Sequence, residues 1–190
     1  MSADDPHSFL QKQAGKSDEK IDIAKCAIAL SAVRRPGVSM QSYFTHLKTL
    51  SGAVGARYQA LLDARAEDSL ETRIAALKHV LSDHYSYHGD DEESDIIARA
   101  DMIDVIDNRR GAPIALSILY LHCGVAQGWD VAGVTIPGHF VLRIEKDGRR
   151  VIFDPSQHCK ILQAPDLRAF VKENLGEDAE LSADYYDPPT

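Results

Sequence analysis

The chain has 190 residues, 44% of them apolar and 26% charged, with a formal net charge of −8. That suits one domain with a real core, or a domain plus a helical subdomain. The negative balance excludes nucleic acid as an expected partner, since no basic stretch is longer than Arg109-Arg110 or Arg149-Arg150. No apolar run approaches the roughly 20 residues of a membrane helix, and the polar N-terminus, MSADDPHSFLQKQAGK, lacks the apolar centre of a signal peptide. The three widely spaced cysteines, Cys26, Cys123 and Cys159, argue against a disulfide framework and for a reducing, cytoplasmic compartment.

In chain order, residues 1–17 show no period and are expected to be a disordered tail. Ser17 or Asp18 then caps a helix running to about Val33, stopped by Pro36-Gly37. A second helix starts at Ser39, with Tyr43, Leu47, Leu50, Val54, Tyr58 and Leu61 on one stripe; Gly52 and Gly55 mark a kink or a close helix contact. A third opens at Asp68 or Ser69, with Leu70, Ile74, Leu77 and Leu81 on one face. Three amphipathic helices without a strand between them give a helical subdomain over residues 18–107, which ends in a loop from Tyr85 to Asp95 and a short helix over Asp101–Ile106.

From Pro113, a residue suited to the first helical turn, the sequence is apolar nearly all round to Cys123, with Gly124 and Gly128 as stops. A helix without a polar face belongs at the centre of a fold. After Trp129 the period becomes two: strands are expected over Val131–Ile136, Phe140–Ile144 and Val151–Phe153, the last two joined by a hairpin turn at Asp147-Gly148. A last helix runs from Pro165 to Gly176, and residues 177–190 read as a loose tail. The expected fold is α+β: an N-terminal helical part, then a core over residues 108–176 with a buried helix on a small antiparallel sheet.

Chemistry concentrates in that core. His139 begins one strand and Asp154 ends the next, so a tight turn between the strands can set them side by side, with the carboxylate orienting the imidazole. The start of the central helix, Gly111-Ala112-Pro113, offers free N–H groups and a partial positive charge. Thiol enzymes place a cysteine at such a terminus because both effects lower the thiol pKa.

NRRGAPIALSILYLHCGVAQGWDVAGVTIPGHFVLRI followed by VIFDP resembles the core of the SirB1 family, a branch of the transglutaminase-like superfamily with a papain-like arrangement. The likeness extends over roughly Asp18 to Val171. It implies that His139 and Asp154 match the catalytic His and Asp, and that Pro113 stands where active members carry the nucleophilic Cys; that loss is general in the SirB1 branch. This chain also departs from the family pattern at Arg99-Ala100, usually Asn-Ser, and at Ser156-Gln157-His158-Cys159, where an aromatic and glycines are usual. Many relatives carry C-terminal helical repeats, for which this chain has no room.

The expectation is therefore a pseudoenzyme without a cofactor, binding a protein or peptide in a vestigial cleft that includes Arg110, Gly111, Ser117 and Gly138. The competing class is a hydrolase or amidase in which His139-Asp154 activates water or a displaced Cys159 attacks. Each residue also has a plainer reading. His139-Asp154 serves equally as a buried polar pair fixing the hairpin; Ser117 bonds the carbonyl four residues back; Arg109 and Arg110 pair with Asp104 or Asp107. Cys123, roughly 15 Å along the helix from Pro113, and Cys26 read as core residues, whereas Cys159 reads as exposed. His84/His88 and His158/Cys159 are ligand types without a recognised metal spacing.

Overall fold

A computed structural model describes residues 5–90 and 99–182; the acidic run after Asp90 and residues 183–190 of the C-terminal tail lie outside them. The fold is α+β. The expected disordered tail is not one: Pro6–Ala14 form helix α1, with Asp5 Oδ2 accepting from Ser8 N and Pro6 in the first turn. Phe9 holds it down, its ring 5.3 Å from that of Phe44. A single aromatic and a capped start suffice where no period is visible, because the docking surface is supplied by another element.

After a 3₁₀ turn at Asp18–Lys20, α2 runs Ile23–Val33, capped by Asp22 rather than by Ser17 or Asp18. Helix α3 spans Met40–Asp63 without interruption. Of its two glycines, Gly55 is the contact: a Cβ there would meet Gln127 Oε1 at 2.6 Å, and Gln127 donates to Ser51 O at 2.9 Å. Helix α4 covers Leu70–Leu77, capped by Ser69. It passes into a π-helical turn, Lys78–His84, where the expected single helix continues with altered pitch. Helix α5, Met102–Asn108, is capped by Asp101 and tied to α2 by Arg35, which pairs with Asp101 and Asp104. Two short parallel strands went unseen in the sequence, β1 (His88–Gly89) and β2 (Arg110–Gly111); two residues carry no alternation.

Helix α6 extends over Pro113–Ala126, three residues beyond the expected end. Gly124 lies inside it and admits a neighbour instead of stopping the helix: a Cβ there would sit 2.8 Å from Val131 Cγ2. The turn comes at Gly128, at φ +74°. A four-stranded antiparallel sheet follows in the order β3-β4-β5-β6, from strands Asp130–Ile136, His139–Lys146, Arg149–Asp154 and Lys160–Leu162. Helix α7, Ala164–Leu175, is the last helix among the described residues and starts with a reciprocal cap between Gln163 and Asp166.

The sheet has two buried faces, and β4 alternates between them. Phe140, Leu142 and Ile144 join Val131 and Phe153 in the large core around α6, which also takes in Ile28, Leu50, Leu77 and Tyr87. Val141 joins Val134, Ile136, Ile152 and Leu162 in a smaller cluster under α7, with Leu167, Phe170 and Leu181. The large core takes in side chains from the N-terminal helices, α6 and the sheet, so residues on both sides of the expected boundary at 107/108 share one interior.

Phe9→Ala tests the docking of α1. Losing a half-buried ring is expected to cost about 1–2 kcal/mol in denaturant unfolding and to speed amide exchange over Pro6–Ala14 while leaving the α6 amides protected. Unchanged stability would mean that α1 does not rest on Phe44.

Candidate functional site

The β3–β4 connection is a two-residue turn, Pro137-Gly138, closed by the pair Ile136–His139. Gly138 has φ +74° and would place a Cβ 2.0 Å from Asn174 Oδ1 of α7, so conformation and packing both require glycine. The register pairs Leu142 with Phe153, which sets Asp154 on the same sheet face as Val141 and His139. His139 Nε2 donates to Asp154 Oδ2 at 2.7 Å, and the imidazole stacks on Phe170, centroids 4.8 Å apart and planes 8° from parallel.

Asp154 is fully buried and well supplied with donors. Ser156 gives its backbone N–H at 2.8 Å and its hydroxyl at 2.6 Å to Oδ1; Gln157 Nε2 reaches Oδ2 at 2.9 Å. Burial pushes this carboxyl up, but the bonds from His139 and Ser156 outweigh it and hold the pKa below the usual carboxylate value. Because the folded pKa is depressed, this group's contribution to stability is present above the unfolded value and lost as pH falls through the folded one. With Nε2 committed, Nδ1 is the nitrogen left for any proton transfer.

Pro113 occupies the first turn of α6, behind an Ala112 that makes no side-chain cap bond. Beside this helix start, Phe140 and not His139 comes forward, lining one groove with Ile114 and Ser117. The alternation of β4 decides this, since consecutive residues face opposite sides. Ser117 does not behave as expected: its hydroxyl is fully buried with no hydrogen-bond partner, rather than bonded to the preceding turn.

The remaining candidates take structural places. Gly111 is packed so closely that a Cβ would meet Val105 Cγ2 at 2.6 Å and Arg99 O at 3.2 Å. Arg110 is exposed on β2. Arg109 does not pair with Asp104 or Asp107. It adopts φ +62° at the end of α5, donates to His46 Nε2 at 2.8 Å and to the Tyr87 hydroxyl, and lies 4.8 Å over the Tyr87 ring. Burial, and then the Arg109 charge, push His46 below its ordinary pKa, consistent with a neutral ring that accepts. Asp104 pairs with Arg35, and Asp107 accepts from Tyr43 at 3.0 Å. Sequence reading missed this arrangement because its members lie 22 to 63 positions from Arg109.

Cys159 is buried rather than exposed, and burial pushes its thiol up to about 12 even though the Tyr120 hydroxyl opposes the shift. Burial likewise puts Cys123 at about 12. Cys26 is also raised, by burial and then by Asp22. His158 bonds Ser82 Oγ at 2.7 Å, and the His88 ring bonds Ser86 O at 2.7 Å. Among the described residues no group of three or more His, Cys, Asp or Glu side chains is placed to hold a metal.

Two substitutions test this electrostatic reading. Asp154→Asn exchanges an acceptor for a donor among four donated bonds and is expected to cost about 2–4 kcal/mol. Urea midpoints measured across pH should show the wild type losing stability below about pH 4, with a shallower acid limb in the variant; parallel limbs would refute the assignment. Ser117→Ala removes a buried hydroxyl without a partner and is expected to hold or raise stability by up to about 1 kcal/mol. A loss above about 1 kcal/mol would show that the hydroxyl is bonded.

The sequence profile of the transglutaminase-like superfamily matches residues 21–190. A UPF0162 protein of Xylella fastidiosa strain Temecula1 is 25% identical over 164 residues, 85% of this chain and 56% of the relative. One from strain 9a5c is 26% identical over 161 residues, 84% of this chain and 54% of the relative. One from Vibrio cholerae serotype O1 is 23% identical over 163 residues, 86% and 58% respectively. The chain thus spans little more than half the length of the curated relatives it matches. No solved structure shows significant similarity, and among the described residues no helix is long and apolar enough to cross a membrane. With a family match over nearly its whole length, this chain belongs to the transglutaminase-like superfamily.

Proposed function

We propose that this chain is a SirB1-like member of the superfamily that has lost acyl-transfer catalysis and acts as a protein- or peptide-binding module. The observation that carries the reading is the start of α6. Residues 112–114 are Ala-Pro-Ile, so the terminus that would ionise a thiol presents no atom able to attack a carbonyl. The thiols elsewhere do not compensate: burial raises Cys123 and Cys159 to about 12, which disfavours their thiolates at neutral pH. His139 retains its carboxylate partner but has one ring face stacked on Phe170, a setting that suits a pair fixing the β3–β4 turn against α7. A His-Asp pair without a nucleophile offers general-base help of about 10²–10⁴ at most, and the covalent intermediate that divides acyl transfer into two easier steps is gone.

Iodoacetamide labelling of the native protein at neutral pH, read by peptide mass spectrometry, should be slow and confined to Cys26, with Cys123 and Cys159 modified only after denaturation. Hydrolysis of an activated ester such as p-nitrophenyl acetate should be indistinguishable between wild type and His139→Ala. A fast-reacting thiol, or a hydrolytic rate that falls in the His139 variant, would restore the enzyme reading.

A further inference from the structure

One face of α6 is left uncovered. Ile114, Ile118, Leu121 and Val125 line an open groove with a cavity volume of about 750 Å³, walled by residues 18–24 on one side and by β3 and Phe140 on the other. The fold leaves apolar surface here out of proportion. Among the described residues, five large hydrophobic side chains are clearly exposed, and three of them line this groove: Ile23 at 50%, Ile114 at 47% and Val125 at 55%. An apolar concentration of this kind marks an interaction site rather than ordinary surface. The four α6 residues follow one another at steps of four, three and four, the spacing of a helix-packing seam. From Ile114 to Val125 the seam is roughly 16 Å long, three turns of a helix.

Charge selects the occupant. The rim contributes Asp18, Glu19 and Asp22 against Lys20, Asp22 being engaged by Lys25 at 2.8 Å and by His122 at 3.7 Å. Asp18 and Glu19 are exposed, and the whole chain carries −8. A partner segment rich in Asp or Glu would be repelled as it approached, and a basic one attracted.

Resting on the binding-module reading above, we infer that the groove along Ile114–Val125 docks an amphipathic helix of a partner protein, its apolar stripe on α6 and basic residues flanking that stripe. The interaction is that of a helix in a groove: apolar anchors supply affinity, and Asp18 and Glu19 select against acidic helices.

The test uses the full chain and two fluorescein-labelled peptides of about 14 residues, helical and leucine-striped at i, i+3, i+4, i+7 and i+11. One carries Lys on its polar face and the other Glu. By fluorescence polarisation, the Lys peptide should bind at least about tenfold more tightly than the Glu peptide. Ile114→Glu and Val125→Glu, substitutions at half-exposed positions that should leave the thermal midpoint unchanged, should each weaken the Lys peptide by about tenfold or more. The double variant Asp18→Lys/Glu19→Lys should narrow or reverse the preference. Equal affinities, or binding indifferent to the two groove variants, would overturn the inference. So would a dimer in sedimentation that Ile114→Glu dissolves, which would assign the groove to a second copy. Amide chemical-shift mapping separates the two readings: Lys-peptide shifts outside the groove would remove this site and leave a binding module standing, whereas the thiol and ester assays judge the loss of catalysis independently.

Discussion

A helix with almost no polar face must be kept from water on every side, and in this chain that requirement falls on α6. Helices α2 to α5 cover it from one direction and the sheet from another, so that Leu116, Leu119, Tyr120 and Cys123 have no exposure at all. Glycines set the distances: Gly124 admits Val131 and Gly133 admits the Phe140 ring. The π-helical turn after Leu77 and the short pairing of β1 with β2 place Tyr87 in the same core. Among the described residues, the large apolar side chains of α6 left exposed are Ile114 and Val125, which makes the stripe between them the place where burial by something else would be most favourable.

The second constraint is the buried carboxylate of Asp154. An ionised group so far from solvent survives only if its oxygens are occupied, and here four donated bonds from His139, Ser156 and Gln157 occupy them. The consequence is structural before it is chemical. The pair fastens the start of β4 to the end of β5, and Phe170 carries that order into α7. A catalytic His-Asp pair and a hairpin clamp need the same geometry, so the contact by itself is compatible with either role. One ring face is stacked on Phe170, one ring nitrogen is committed to Asp154, and residues 112–114 at the helix start carry no thiol.

The superfamily match fits the fold, and the match to the distant UPF0162 relatives leaves function to the site. Nearly all of this chain aligns, yet it spans little more than half of those relatives, so what they do as whole proteins need not be carried by this part. The start without a thiol, Ala112-Pro113-Ile114, and the uncovered groove are both properties of α6, at its first turn and along its outer stripe. The outer stripe of α6 offers an apolar helix surface with an acidic border.

Local chemistry decided what the sequence could show unaided. Pro113 at a helix start, the change to period two after Trp129, Asp147-Gly148 between strands and the order Pro113, His139, Asp154 are all short-range signals, and the α+β fold and the His139–Asp154 contact follow from them. The sequence also showed directly that residues 112–114 contain no nucleophile. What it could not show were the features made by distant partners. Helix α1 exists because Phe9 finds Phe44; Arg109 leaves its neighbouring aspartates for Tyr87 and His46; Cys159 is withdrawn from solvent against Tyr120; and Phe140 takes the place beside Ile114. Which side of a strand meets which helix, and which stripe of an apolar helix stays bare, depend on how complete elements pack, and no stretch of residues read in order contains that information.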